Sequence, residues 1–420
     1  MAERPTSATT TWVSLLGLVA FLGCVVWLRT TGWDQERMCL VAMVATATPM
    51  MLADVLVRKV HRRASTGLDF DRAPLPLSWG RIGTKMLGLA LTLGVLAFVY
   101  TFIPEYQRSF YNPAWKGLEL CWPYLVVVGL PYFVWVDRRM KDPHDAYWQL
   151  GRFVMGHGED LKREAVKQHV LGWVIKGFYL PMMFAYTADA VHDLANWRLH
   201  TILNSPPSFV AFVAKLSLAV DLVFVVIGYS LTLRLIDSHI RSSNPLAWGW
   251  LVTIVLYTPF WGLVGKRYFL YDDGHSWTYF FGDSMVMLHL WAGLIVICKL
   301  SWAWSNMVFG TRFSNLTHRG ILTHGPYRIT KHPSYISKNI GWWLLSVPFL
   351  HDDGAGAAAQ MCLGILGVNL LYVLRAKAEE HHLSEDPDYV AYALWMEEHG
   401  AFRWVGKLVP WLRYKAPASA

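Results

Sequence analysis

The chain has 420 residues, of which 54% are hydrophobic and only 16% charged, with 22 tryptophans among them. That balance excludes an ordinary soluble globular protein and describes a chain that crosses a membrane several times. The net charge of +8 does not point to nucleic acid, because the basic residues lie beside hydrophobic segments, where they set topology and meet anionic lipid.

A membrane span needs about 20 mostly apolar residues. Read in order, the chain offers ten such segments, at roughly 12–29, 38–57, 84–103, 118–136, 170–190, 208–236, 246–265, 284–304, 339–350 and 358–375. The first run has the length of a span and lacks a small-residue cleavage site, so it reads as a membrane helix rather than a signal peptide. Aromatic residues near segment ends (Trp27, Trp33, Trp115, Trp122, Tyr268, Tyr271, Trp277) fit an interfacial belt. The ninth segment is short and is stopped by Pro348. With the tenth, across the turn at 351–356, it predicts a helical hairpin. The expected fold is an all-α, polytopic integral membrane protein of about ten transmembrane segments, with a C-terminal helical hairpin and an interfacial tail helix.

The polar stretch 138–169 divides the chain into an N-terminal four-span region (1–137), the polar loop itself, central transmembrane helices (170–304) and a C-terminal region (305–420). Within the last, residues 377–404 read as an amphipathic helix, anchored by Tyr389, Tyr392, Leu394 and Trp395, that closes over a site at the interface. Basic clusters occur at Arg58–Arg63, Arg138–Lys141, Lys162–Lys167, Arg234–Arg241 and Arg312–Lys331. Ten alternating segments put all of them on one side if both termini lie there too. The positive-inside rule makes that side the cytoplasm. The five cysteines (Cys24, Cys39, Cys121, Cys298, Cys362) form no Cys-x-x-Cys pair and read as small core residues.

Two polar clusters near the end of the chain carry the chemistry. The first is THGPYRITKHPSY, Thr323–Tyr335. Gly325-Pro326 signals a turn, and His332-Pro333 keeps His332 out of helical geometry before Pro333 opens a helix. Such a bend beside a helix start exposes backbone amides suited to a carboxylate. The second cluster is Arg375, Glu379 and Glu380. Arg375 and Glu379 are four apart and share a helical face. Taken alone they form an ordinary ion pair at a span end. Two adjacent glutamates at a membrane boundary also suit an ammonium group and ribose hydroxyls.

These strings together, GPYRITKHPSY, a hydrophobic hairpin, then RAKAEEHHL and DPDYVAY, resemble the isoprenylcysteine carboxyl methyltransferase and phospholipid methyltransferase superfamily. The resemblance covers Arg319–Phe402 only. It implies S-adenosylmethionine as cofactor, with Gly325, Pro326 and Tyr327 along it, His332 and Tyr335 on its methionyl or adenosyl part, and Glu379 and Glu380 on its ammonium or ribose. Arg375 is the implied catalytic residue, facing the substrate or the cofactor carboxylate. The implied partner is a lipophilic small molecule or lipid, and the acceptor a carboxylate, amine or thiol. Lys331 stands where the family more often has arginine, and the first 300 residues lie outside the resemblance. Methyl transfer from a sulfonium is an in-line displacement that asks the protein mainly to position and desolvate.

Other classes fit less well. Di-iron hydroxylases need histidine boxes, and the sixteen histidines include none; the adjacent His381 and His382 read as a solvated pair. Sterol reductases, which use NADPH, share a similar R-H-P string but carry an acidic residue after it, whereas Ile336–Asn339 has none. A transporter is the non-enzymatic alternative, prompted by Asp54, Lys176, Asp189, Lys215, Asp221 and Lys299 within or beside apolar segments. Asp221, in mid-segment, is expected to pair with Lys215 or to line a cavity. Trp291, Trp302, Trp304, Trp342 and Trp343 could line a lateral substrate route or serve as core and interface anchors.

Overall fold

The computed structural model describes residues 4–159, 161–269, 271 and 274–417. The chain is mostly helical, and among the described residues seven helices are long and apolar enough to cross a membrane. They are α1 (Thr11–Leu28), α2 (Gln35–Leu52, carried on to Val57 by a π-turn), α3 (Trp79–Phe102), α4 (Asn112–Arg139), α7 (Pro206–Ser230), α11 (Met285–Met307) and α13 (Ala355–Leu383). The remaining helices are α5 (Ala146–Val154), α6 (Arg163–Ala195), α8 (Ala247–Ile254), α9 (Phe260–Val264), α10 (Trp277–Phe281), α12 (Pro333–Ser346), α14 (Pro387–His399) and α15 (Val405–Leu408). Two short strands, β1 (Ser242–Ser243) and β2 (Thr317–His318), pair antiparallel.

Local chemistry sets the boundaries. Ser78, Asp145 and Ser205 cap α3, α5 and α7 by accepting from Arg81, Trp148 and Ser208 amides. Pro333 and Pro387 open α12 and α14 at the first turn, where no amide donor is needed. Helix α12 stops where Val347 takes a left-handed conformation (φ 42°) ahead of Pro348.

Three expected segments take other forms. Segment 170–190 lies inside α6, a helix of 33 residues, about 50 Å long. Segment 246–265 is not continuous: α8 ends at Ile254 and α9 starts only at Phe260, after Pro259. Segment 339–350 falls largely in α12, a helix of 14 residues.

The polar stretch 138–169 is not simply a loop, because α5 packs along α3 there. Gly88 faces the Tyr147 carbonyl and Gly151 faces that of Thr84 so closely that an added Cβ would sit 2.0 and 1.7 Å from the oxygens. Nor does residue 137 mark a packing boundary for the first two spans. One buried cluster joins Phe21 and Val25 of α1, Met50 of α2, Val191 of α6, Phe224 of α7 and Met307 of α11.

The basic loops gather at one end of the bundle. Leu68 bridges to Met140, Arg234 donates to the Thr66 carbonyl, and Arg312 meets Asp54 at 3.4 Å. Asp237, fully buried, lies within 4.0 Å of Arg63, Arg241 and Arg312. The C-terminal part of the chain closes this end. Helix α13 runs to Leu383, and α14 follows as a separate helix, so 377–404 is not one continuous amphipathic helix. Tyr389 and Tyr392 of α14 turn inward onto Ile321 and Tyr414 instead of outward to lipid.

Candidate functional site

Five parts of the chain surround a cavity of about 160 Å³ at the basic end: the residues flanking α8 (Asn244 and Tyr257), the end of α11 with the loop that follows it, the start of α12, the last turns of α13, and α14. The bend 325–335 is built as the sequence dictates. Gly325 has φ +55°, a conformation that costs glycine little, and residues 325–328 form a single 3-10 turn. His332 stays non-helical (φ −129°, ψ 57°) and Pro333 starts α12, which sends Tyr335 and Lys338 along one helical face into the cavity.

The two sequence clusters meet here, through residues 44 and 48 positions apart. The Tyr335 hydroxyl donates to Glu379 Oε1. His332 Nδ1 lies 3.8 Å from Glu379 Oε2 and its Nε2 3.4 Å from Glu380 Oε1; its ring stacks on Tyr335 at 5.5 Å. Arg375 is buried, donates to Asn315 Oδ1 at 2.5 Å and to Glu379 Oε1 at 3.4 Å, and lies 5.0 Å over the Tyr335 ring. Tyr372 and Tyr257 complete an aromatic collar around it, each 5.9 Å away. Such a collar holds a guanidinium while excluding water.

Of the residues singled out in the sequence, Tyr327, His332, Tyr335, Arg375 and Glu379 line the cavity. Gly325, Pro326 and Glu380 do not. Gly325 backs onto α11, where an added Cβ would meet Val308 at 3.2 Å, and Pro326 is buried beside it. Glu380 points away into an ion-pair hub, with Lys331 Nζ at 2.6 Å and Lys377 Nζ at 2.8 Å. Lys331 is shared with Glu397 at 2.8 Å. This hub braces the bend at the edge of the cavity, whose wall includes Lys331 itself.

Several wall residues were not anticipated. Arg319, just before the first cluster, is buried and donates to the carbonyls of Ser238 (2.6 Å), Gly228 (2.6 Å), Phe313 (2.9 Å), Leu231 (3.1 Å) and Thr311 (3.2 Å). Two of these carbonyls end α7, whose negative dipole end suits a cation. Burial, then nearby Arg312, lowers its pKa to about 9. Lys338 touches no carboxylate or hydrogen-bond acceptor among the described residues; its ammonium lies 5.0 Å over Trp302. Its spacing from Tyr335, three residues on one helix face, was the signal that could have found it. His318 lies 3.1 Å from Asp386, yet its pKa falls to about 4, because burial outweighs that carboxylate and Arg241 adds to the lowering. His382 is buried and bonded to Ser242 Oγ at 2.9 Å, not solvated as its place beside His381 suggested.

Several of the intramembrane charges also find partners. Asp221 bonds Asn306 at 2.5 Å and does not pair with Lys215, which reaches Asp193 instead. Lys176 donates to Thr232 at 2.9 Å. Among the described residues no group of three or more His, Cys, Asp or Glu could hold a metal ion. No family model, curated protein or solved structure matches this chain.

Proposed function

We propose that this membrane protein is an S-adenosylmethionine-dependent methyltransferase acting on an anionic lipid-borne acceptor, a carboxylate foremost. In this reading α6, the broken α8–α9 segment and α12 join the seven apolar helices as membrane segments. The termini and the site face the cytoplasm, as the gathering of basic loops favours. One observation carries the proposal: His332 and Tyr335 from one helix start, and Arg375 and Glu379 from another helix end, converge on a single cavity.

The donor set suits this cofactor. Glu379, partly exposed to the cavity, is an acceptor for an ammonium or for ribose hydroxyls, and Tyr327, Tyr335 and Tyr389 offer flat, apolar surface. Bound S-adenosylmethionine supplies a methyl group on a positive sulfonium. The chain supplies position and dryness. Arg375, fixed by Asn315 and the tyrosine collar, orients an anion; Lys338, which forms no direct ion pair among the described residues and feels only the more distant Asp221 carboxylate, holds the acceptor's charge. A carboxylate acceptor needs no proton removed, so no general base has to be found. The cavity of about 160 Å³ is smaller than the roughly 300 Å³ at which pockets for drug-sized ligands begin. Admission of a nucleoside therefore requires the Tyr335–Glu379 contact to open.

The test is binding of S-adenosylhomocysteine and of NADPH to the purified protein. Saturable binding of the first alone is expected. Binding of NADPH alone would replace this reading with that of a reductase, and binding of neither would remove the enzyme.

A further inference from the structure

After α14 the chain changes character. Between residues 400 and 417 there are four basic side chains, Arg403, Lys407, Arg413 and Lys415, and no Asp or Glu. All four are exposed. None forms an ion pair among the described residues; Arg403 donates only to the Glu398 carbonyl, at 3.0 Å. Interleaved with them are Phe402, Trp404, Leu408, Val409 and Trp411, exposed by 42, 54, 73, 45 and 56%. Five large apolar side chains left open within ten residues are an aggregation hazard unless something covers them.

The segment is not loosely placed. Lys377 Nζ donates to the Leu412 carbonyl at 2.9 Å, Ser384 Oγ and Tyr414 hydroxyl are 2.8 Å apart, and the Ala401 amide donates to the Ile329 carbonyl at 2.9 Å. Glu397 accepts from the Tyr414 amide at 3.0 Å. Tyr414 is buried by these contacts while the other large residues face out. The segment is thus held at the end of α13, where that membrane-length helix leaves the bilayer, and beside Ile329 of the bend, itself 49% exposed.

We propose that residues 402–415 form a docking surface for an anionic lipid leaflet. The apolar side chains insert at the level of the headgroups and the four cations sit among lipid phosphates. Charge complementarity commits the surface to this occupant: a zwitterionic leaflet covers the tryptophans but has no net negative charge to offset four cations, whereas an anionic one does both. Docking sets the site mouth at the height of lipid headgroups, where an amphipathic acceptor presents its polar end. The proposal stands independently of methyl transfer.

The experiment uses the full chain in nanodiscs of phosphatidylcholine, with or without added phosphatidylglycerol. A nitroxide on Leu408→Cys reports depth by its relative relaxation by oxygen and by a water-soluble nickel complex, with signal from the native cysteines subtracted using labelled wild type. Expected is a lipid-buried label in the anionic discs and a shallower one in the neutral discs. Replacing Arg403, Lys407, Arg413 and Lys415 by Gln should weaken docking on the order of fivefold per residue, several hundredfold in all, and abolish the difference between lipids. Equal depth in both lipids would overturn the anionic requirement. A label open to the nickel complex in both would overturn the surface altogether and leave it to a soluble partner. Binding of S-adenosylhomocysteine in the same discs separates failure of this proposal from failure of the methyltransferase reading.

Discussion

Glu379 and Glu380 are neighbours in sequence and opposites in structure, so replacing each by glutamine separates bracing from binding. Glu380 is buried between two lysine ammonium groups at 2.6 and 2.8 Å. Neutralising one member of a buried ion pair costs about 3–5 kcal/mol, and of an exposed pair about 0–1. Here Lys331 keeps Glu397 at 2.8 Å, and Lys377 keeps the Leu412 carbonyl at 2.9 Å. Neither cation is orphaned, and the cost falls between those limits, about 2 kcal/mol, or roughly 30-fold in the folding equilibrium. Glu379 is more open, 27% exposed, and its arginine contact is long at 3.4 Å. Its neutralisation should change stability by less than about 1 kcal/mol. It should, however, remove a charge-assisted bond to the proposed cofactor, worth about 1.5–3 kcal/mol, and weaken affinity roughly 10- to 150-fold.

The assay pairs calorimetric titration of S-adenosylhomocysteine with thermal unfolding of the same nanodisc preparations. Expected are lost affinity at an unchanged midpoint for Glu379→Gln, and a lowered midpoint with affinity largely kept for Glu380→Gln. If Glu380→Gln loses tenfold or more in affinity at a wild-type midpoint, Glu380 faces the ligand and the division of labour between the two glutamates is refuted.

Lys338→Met removes a cation that forms no direct ion pair among the described residues but still offsets the buried Asp221 carboxylate, so the midpoint should change little or fall slightly. The acceptor KM should increase roughly tenfold or more with S-adenosylhomocysteine affinity intact. An equal loss of both would move Lys338 to the cofactor. Arg319→Ala strips five carbonyls of their donor and should cost about 3–5 kcal/mol, read as loss of the monodisperse peak in detergent; a wild-type midpoint would contradict it. Gly228→Ala places a Cβ 2.2 Å from the Phe313 carbonyl oxygen and should cost at least about 2 kcal/mol, checked by the same unfolding scan. Acid should destabilise the site end. Burial lowers His318 and His324 to about 4 from an ordinary 6.5, so both are neutral when folded and take up protons on unfolding. The stability tied to them is present above pH 6.5 and lost as pH falls towards 4. A midpoint that stays flat over that range would show that neither imidazole is held neutral.

What was legible in the sequence was local. The turn at Gly325-Pro326, the break at His332-Pro333 and the helix phase that sets Arg375 over Glu379 depend on residues a few places apart, and each stands in the structure as its chemistry dictates. The direction in which a side chain leaves its helix was not legible where a distant partner decides it. Glu380 turns outward because Lys331, 49 positions earlier, and Lys377 meet it there. Asp221 finds Asn306 on another helix, 85 residues away. The amphipathic helix expected over 377–404 is split between α13 and α14, and Tyr389 and Tyr392 of α14 pack on protein while Leu394 stays exposed. Pro259 was visible, yet its effect, a gap between α8 and α9, was masked by the apolar run around it.

The role of the first spans follows from the same long-range contacts. Arg312 stands in the cavity wall, and its charge is balanced at 3.4 Å by Asp54, at the end of α2. Asp54 is itself held by Arg58 at 2.6 Å. The segment before α1 is laid across the loop that precedes the bend. The Ala8 amide donates to the Ile321 carbonyl at 2.9 Å, Thr323 Oγ1 donates to the Pro5 carbonyl at 2.9 Å, and Ser7 Oγ lies 2.7 Å from His324 Nδ1. The Ala8 carbonyl in turn accepts from Arg58 and Arg63. A cavity lined by Arg312, Arg319, Lys338 and Arg375 concentrates positive charge in a poorly solvated place, and such charge repels itself unless carboxylates from elsewhere are brought in. The α1–α2 hairpin brings one, and its flanking backbone ties down the loop that carries His332. Among the described residues, the N-terminal region thus contributes none to the cavity lining but supports it from behind, through Asp54 on Arg312 and residues 5–8 on residues 321–324.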